Sequence, residues 1–227
     1  MTIAPKTTRN PKQTKGDKSE AAFLDAAESE FAEKGYSGSS MRSVADKANA
    51  NLGAIHYYFG SKEVLVRRML ERVLRPAALE CMEKLRACER KSNNTAPDFH
   101  LLLKAYIEPM YAIHKINPTF DKTVLRIIDD PAPQVRKLFS QLLDEHTFYF
   151  AGLLRRCNPQ LSIKEYYWRL NSIYGSLVSL LTRRSELMAL IDEEIEFSAE
   201  DEDQGLELVI QSLYQLYMAP PVLKEGL

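Results

Sequence analysis

Glycine is scarce in this chain, with nine among 227 residues, and its eleven prolines are thinly spread. Strand-like alternation is equally rare, which argues against a sandwich or barrel. No run of ~18 apolar residues occurs, so no membrane span is expected. The N-terminal stretch MTIAPKTTRNPKQTKGDK has no apolar centre of the signal-peptide kind. Three cysteines, Cys81, Cys88 and Cys157, are an odd count without metal-like spacing. They predict a cytoplasmic, disulfide-free protein. Catalytic signatures are missing too. His100, His114 and His146 lie far apart, and no HExxH, paired carboxylate or Ser/His/Asp cluster appears. The acidic run 192–203 lacks the ligand spacing and Gly of a calcium loop, so it is expected to be a solvated linker. No enzyme activity, metal or cofactor is expected.

What is present is helical. Apolar residues make up 45% of the chain and recur mostly at spacings of three and four. The expectation is an all-α protein of about nine helices. Its net charge of −1 hides an asymmetry: residues 1–91 carry 17 Lys/Arg against 12 Asp/Glu, and residues 92–227 carry 13 against 19. A basic first part and an acidic second part suit a nucleic-acid module joined to a different domain, though chance clustering would look the same. Residues 1–17 are polar and should be disordered. Their Lys6, Arg9, Lys12 and Lys15 form either a solvated tail or an arm lying along phosphates.

The segment from residue 18 to 63 carries the most specific pattern. A first helix, from about Asp17 or Ser19 to Lys34, presents Phe23, Ala27 and Phe31 as an apolar stripe and stops at Gly35. Ser39 or Ser40 caps a second helix, Met41 to about Ala48, with Val44, Ala45 and Ala48 inward and Arg42 and Lys47 outward. Asn49-Ala50-Asn51 is a tight turn of the kind Asn tolerates. A third helix, Leu52 to about Phe59, buries Ile55 and Phe59 and leaves Leu52, Gly53, Ala54, His56, Tyr57 and Tyr58 facing outward. Two short helices joined by three residues, behind a longer one, make a helix-turn-helix. Exposed tyrosines suit DNA, since a hydroxyl reaches phosphate and a ring meets a thymine methyl.

Six more helices follow. The fourth, Lys62 to about Arg90, carries Val64, Leu65, Met69, Val73, Leu79, Met82 and Leu85 inward and should kink at Pro76. The last two, after Ser162 and from about Asp203 to Met218, have broad apolar faces with Gly175, Ser176 and Ser179 among them. Those faces are either intrachain core or a surface for another copy.

Phe31, Gly35, Tyr36 and the run SSMRSVADKANANLGAIHYYFGSKE resemble the TetR family of bacterial regulators. The resemblance covers residues 18–70. Asn49 departs from the Gly usual at the first turn position, and Leu52-Gly53-Ala54 lacks the polar side chains that often read bases. The resemblance implies that Arg42, Asn51, Leu52, Gly53, Ala54 and His56 approach the major groove or a nearby phosphate. Tyr57 and Tyr58 would hold the backbone, and Lys62 a phosphate. It implies residues 64–227 as a ligand-binding and dimerisation domain, with the last two helices pairing in a homodimer through Tyr167, Tyr174, Gly175, Val178, Leu213 and Tyr217. Helices four to eight would enclose a small apolar or amphipathic effector, with Tyr106, Met110, Arg126, Phe148 and Tyr174 as lining. The expected function is a repressor on palindromic operator DNA, released by that effector. An activator on the same fold, or an all-α interaction or carrier protein, is the alternative.

Overall fold

The computed structural model describes residues 15–93, 95–117, 119–182, 187–191 and 195–222. The arm residues Lys6, Arg9 and Lys12 lie outside them. Among the described residues the chain forms nine helices: α1 (Lys15–Gly38), α2 (Met41–Lys47), α3 (Leu52–Phe59), α4 (Lys62–Lys91), α5 (Phe99–Ile116), α6 (Phe120–Asp129), α7 (Pro133–Cys157), α8 (Ile163–Thr182) and α9 (Ala199–Met218). None is long and apolar enough to cross a membrane. No group of three or more His, Cys, Asp or Glu among the described residues could hold a metal ion.

The first three helices are fixed by local chemistry. Gly35 takes φ 68°, ψ −177°, which breaks the regular run of α1 where an L-side chain would be strained. Ser40 then caps α2 reciprocally: its hydroxyl accepts from the Ser43 amide, and the Ser43 hydroxyl accepts from the Ser40 amide. Asn49 supplies the turn with φ 53°, and Asn51 caps α3 by accepting from the Ala54 amide at 2.7 Å. The core between them holds Phe23, Ala27, Phe31, Val44, Ala45, Ile55 and Phe59, all buried. A fully buried side chain of this size contributes about 1.5–3 kcal/mol.

α4 joins this core to the larger one. Its Leu65, Val66, Met69 and Leu70 are buried near the first helices, and Leu74, Cys81 and Leu85 continue the buried face toward α5 and α7. Leu79, expected inside, is 60% exposed, and Val64 is 39% exposed. The acidic run differs from its expected role. Glu200, Asp201 and Glu202 are the first turn of α9, capped by Ser198 and Asp201, where carboxylates complement the positive end of a helix.

The end of α9 is held by a buried ion pair. Arg169 and Glu165, one turn apart on α8, are 7% and 4% exposed and bond each other. Arg169 also donates to the carbonyls of Tyr217 and Ala219 at 2.6 Å and of Pro220 at 2.9 Å. Glu165 accepts from the Val222 amide at 3.0 Å. Every charge-bearing atom therefore has a use. Arg169→Ala would strand a buried carboxylate and three carbonyls, and should cost about 3–5 kcal/mol in chemical denaturation.

Candidate nucleic-acid interface and effector core

α3 presents a two-turn rim with Ile55 and Phe59 as its anchors. Leu52, Gly53, His56 and Tyr57 are exposed, Tyr57 at 86%. Arg42 on α2 is exposed beside this rim. Ala54 and Tyr58 are only half exposed, contrary to the expected outward set. The Tyr58 ring packs at 5.7 Å from Phe23, because its position turns back toward α1. Tyr57 stands edge-on to Tyr58 at 5.6 Å, so the half-buried ring braces the exposed one.

Two expected base readers are already engaged. Asn51 spends its side-chain oxygen on the cap of α3. His56 Nδ1 lies 3.1 Å from the Gly60 carbonyl, which can only accept, so Nδ1 carries the proton. In the neutral ring Nε2 is then an acceptor, matched to the amino groups of cytosine or adenine in a major groove.

Lys62 opens α4 and folds inward. Its ammonium donates to the Ser39 carbonyl at 2.6 Å and lies 4.2 Å from the centre of the Tyr36 ring. Burial pushes its pKa down, partly countered by the Asp130 carboxylate. Burial, with Glu63 and Asp130 nearby, pushes the Tyr36 pKa up.

A second assembly lies between α5, α7 and α8. Tyr106 is buried and stacks on Phe150 at 4.1 Å, with Tyr174 edge-on at 6.0 Å and His146 at 5.8 Å. The Tyr106 and Thr147 hydroxyls share a hydrogen bond at 3.2 Å. The Tyr174 hydroxyl is sealed from solvent near both, yet meets neither in good hydrogen-bond geometry. Burial raises the pKa of Tyr106 and Tyr174 and lowers that of His146, favouring neutral forms throughout. Met110 is buried one turn along α5 from Tyr106.

On the far side, α8 and α9 expose Tyr167, Trp168, Leu208 and Leu216. A groove of about 660 Å³ runs between the two helices, lined by Ser172, Gly175, Ser176, Ser179, Leu208 and Ser212 among others.

A family model described as bacterial regulatory proteins, tetR family, matches residues 23–69. A second, the tetracyclin repressor-like C-terminal domain, matches residues 99–213, about half the chain. The chain belongs to the TetR family. An HTH-type transcriptional repressor of Mycobacterium tuberculosis is 37% identical over 71 residues, which are 31% of this chain and 38% of that protein. The regulator YfiR of Bacillus subtilis is 33% identical over 69 residues, 30% of this chain and 32% of its own. The chain thus matches about a third of the length of these curated relatives. Among solved structures, the hemolysin II transcriptional regulator HlyIIR aligns with a TM-score of 0.59 and 17% identity, over 87% of this chain and 97% of that one. PfmR from Thermus thermophilus aligns at 0.53 and 20%, over 94% and 100%. These likenesses bear on the fold.

On this TetR fold the expected site residues divide. Tyr106, Met110 and Tyr174 come together in one core. Phe148 leaves it, 72% exposed on the outer side of α7. Arg126 leaves it too: its guanidinium reaches the carbonyls of Glu33 at 2.9 Å and Ala32 at 3.4 Å on α1. Of the expected pairing surface, Tyr167 and Gly175 are exposed and Val178 half-buried. Leu213 and Tyr217 are buried within the chain, and the Tyr217 hydroxyl donates to the Leu154 carbonyl. Tyr174 turns inward as well. Trp168 and Leu208, which the sequence does not mark, stand exposed, as does Leu216 of the expected apolar stripe; Leu208 and Leu216, about two turns apart, share one face of α9.

The two tyrosines of α3 should separate in experiment. Tyr57→Ala should leave thermal stability within about 0.5 kcal/mol, as for an exposed site. Tyr58→Ala, which empties the contact with Phe23, should cost about 1–3 kcal/mol.

Proposed function

We propose that this chain is a homodimeric, DNA-binding transcription repressor, released from a palindromic operator by a small apolar or amphipathic effector. The observation that carries the reading is the exposed rim of α3. A two-turn helix that spends polar groups on its own caps, yet holds an exposed tyrosine against a half-buried one, suits a phosphate anchor. Arg42, Gly53, Leu52 and His56 give it a mixed groove-facing edge, with close backbone approach at Gly53. Ala54, half-buried, sets that approach. Polar base contacts are few, so specificity rests on dimer spacing and DNA shape as much as on direct readout. Lys62, held over Tyr36 and on the Ser39 carbonyl, lends its charge to a phosphate at the N-terminus of α4, which favours the same anion.

The dimer is formed through the exposed α8 and α9 face. The small residues along the groove let a second copy's helices approach closely, and Trp168, Leu208 and Leu216 supply the apolar area. One recognition helix reads few bases, whereas two held about 34 Å apart read a palindrome.

The effector enters between Tyr106, Met110 and Tyr174. An unmatched buried hydroxyl in an otherwise apolar, neutral core is a ready partner for one polar group on an apolar molecule. The effector shifts the molecule by binding its two shapes with different affinity, and α4 carries the change because both cores share it.

Selection of genomic DNA fragments by the purified protein tests the reading. Binding should weaken steeply with added salt, as phosphate contacts require. Salt-independent capture, or none, would favour an all-α carrier instead. Tyr57→Ala should weaken binding across all selected fragments, and loss confined to one base position would make it a reader. Leu208→Glu should yield a folded monomer in sedimentation, with DNA affinity reduced about 100-fold or more because one half-site is lost.

A further inference from the structure

α6 grips α1 at three places. Near the start of α6, the Thr119 hydroxyl and the Asn117 amide nitrogen, the latter at 2.8 Å, both donate to Glu28 of α1. Glu28 is 9% exposed, and its second oxygen is held from α4 by Arg72 at 3.0 Å. Midway along α6, Arg126 takes the Ala32 and Glu33 carbonyls, which lie in α1 just before the break at Gly35. Directly after α6, the buried Asp130 carboxylate accepts from the Tyr36 amide at 2.9 Å with one oxygen and from the Ala132 amide at 2.8 Å with the other. A methyl group on Gly35 would stand 3.3 Å from the first of these oxygens, so the bare glycine permits the approach.

The third grip continues into the DNA-facing helices. Tyr36, whose amide Asp130 holds, carries the Lys62 ammonium on its ring. Lys62 in turn holds the Ser39 carbonyl, next to the Ser40 that caps α2. From Asp130 the contacts lead through the Tyr36 amide, the Lys62 ammonium over the Tyr36 ring and the Ser39 carbonyl to the residue before the α2 cap. They use the first residue of α4 but not its apolar face.

We propose that Asp130 and Arg126 are positioning residues for DNA binding: α6 fixes the pose of the Gly35–Ser40 bend, and hence of α2 and α3, in addition to the apolar packing of α4. The proposal rests on the DNA-binding reading above and adds a second tie between the two halves. With two ties at separate points, the helix-turn-helix cannot swivel about α4 alone. A dimer so held should tolerate little change in the separation of its half-sites. A dimer missing the α6 tie should tolerate more.

The test uses the full chain and duplexes derived from a fragment that it selects, with the half-site separation changed one base pair at a time. Fluorescence anisotropy gives affinity for each duplex. The wild-type protein should show a sharp optimum. Asp130→Ala and Arg126→Ala should each reduce the penalty for a one-base-pair change by about tenfold, the worth of one or two hydrogen bonds to a charged group. Asp130→Asn keeps an acceptor oxygen for the Tyr36 amide and should restore the sharp profile. Hydrogen exchange at Tyr36 should quicken in Asp130→Ala and stay slow in Asp130→Asn. A spacing profile unchanged in both alanine variants would overturn the proposal, even with Tyr36 released. So would a Tyr36 amide that stays protected without Asp130. Loss of affinity equal at every spacing would mark a merely structural role and overturn it too. A wild-type protein that selects no DNA would instead overturn the reading beneath it.

Discussion

The buried face of α4 belongs to two cores at once, and this constrains everything around it. Leu65, Met69 and Leu70 close the core of the first three helices, while Leu74, Cys81 and Leu85 lie within the larger bundle. The buried residues form one cluster from Phe23 to Tyr217 with no gap between the parts. A packed interior transmits displacement because it has few voids to absorb it. A change in the packing of α5 or α7 against α4 is therefore felt at α1 and α3. Even the Cys81 thiol, whose pKa burial raises to about 12, serves as a packed apolar group and not as a reactive one.

How much was legible in the sequence follows the range of the forces involved. The helix-turn-helix was legible because its determinants are local: a serine cap, an asparagine in left-handed geometry, a glycine at a break. Each acts within four residues of itself. Arg126 was misplaced because its partners are carbonyls 93 and 94 residues away, and a backbone carbonyl leaves no mark in the amino-acid code. Tyr217 and Leu213 were misplaced for another reason. Helical spacing reveals a stripe, yet α8 and α9 have apolar residues on more than one side, and only packing decides which side turns in. The start of α9 was legible and missed. Ser198 and Asp201 stand in capping-box spacing ahead of an apolar run, but the charge of the segment suggested a linker.

In the core around Tyr106, burial and polarity are unequally balanced. Tyr106 stacks on Phe150 and finds Thr147, so its polar and apolar needs are both met. Tyr174 meets only the apolar need. An unsatisfied buried hydroxyl costs about 1–3 kcal/mol, and a molecule that supplies the missing partner recovers part of that cost on binding. Burial lowers the pKa of His146, which lies against Tyr106, and so favours its neutral form.

The recognition helix follows the same logic in reverse. Polar atoms at and beside it are already committed: Asn51 to the cap of α3, His56 Nδ1 to the Gly60 carbonyl, and Lys62, on α4, to the Ser39 carbonyl. Commitment holds these groups in place, so less conformational entropy remains to be lost on binding. On the proposed DNA-binding reading it also limits how many bases they can read, and accuracy then has to come from how firmly the rest of the molecule holds the helix, through α4 on one side and α6 on the other.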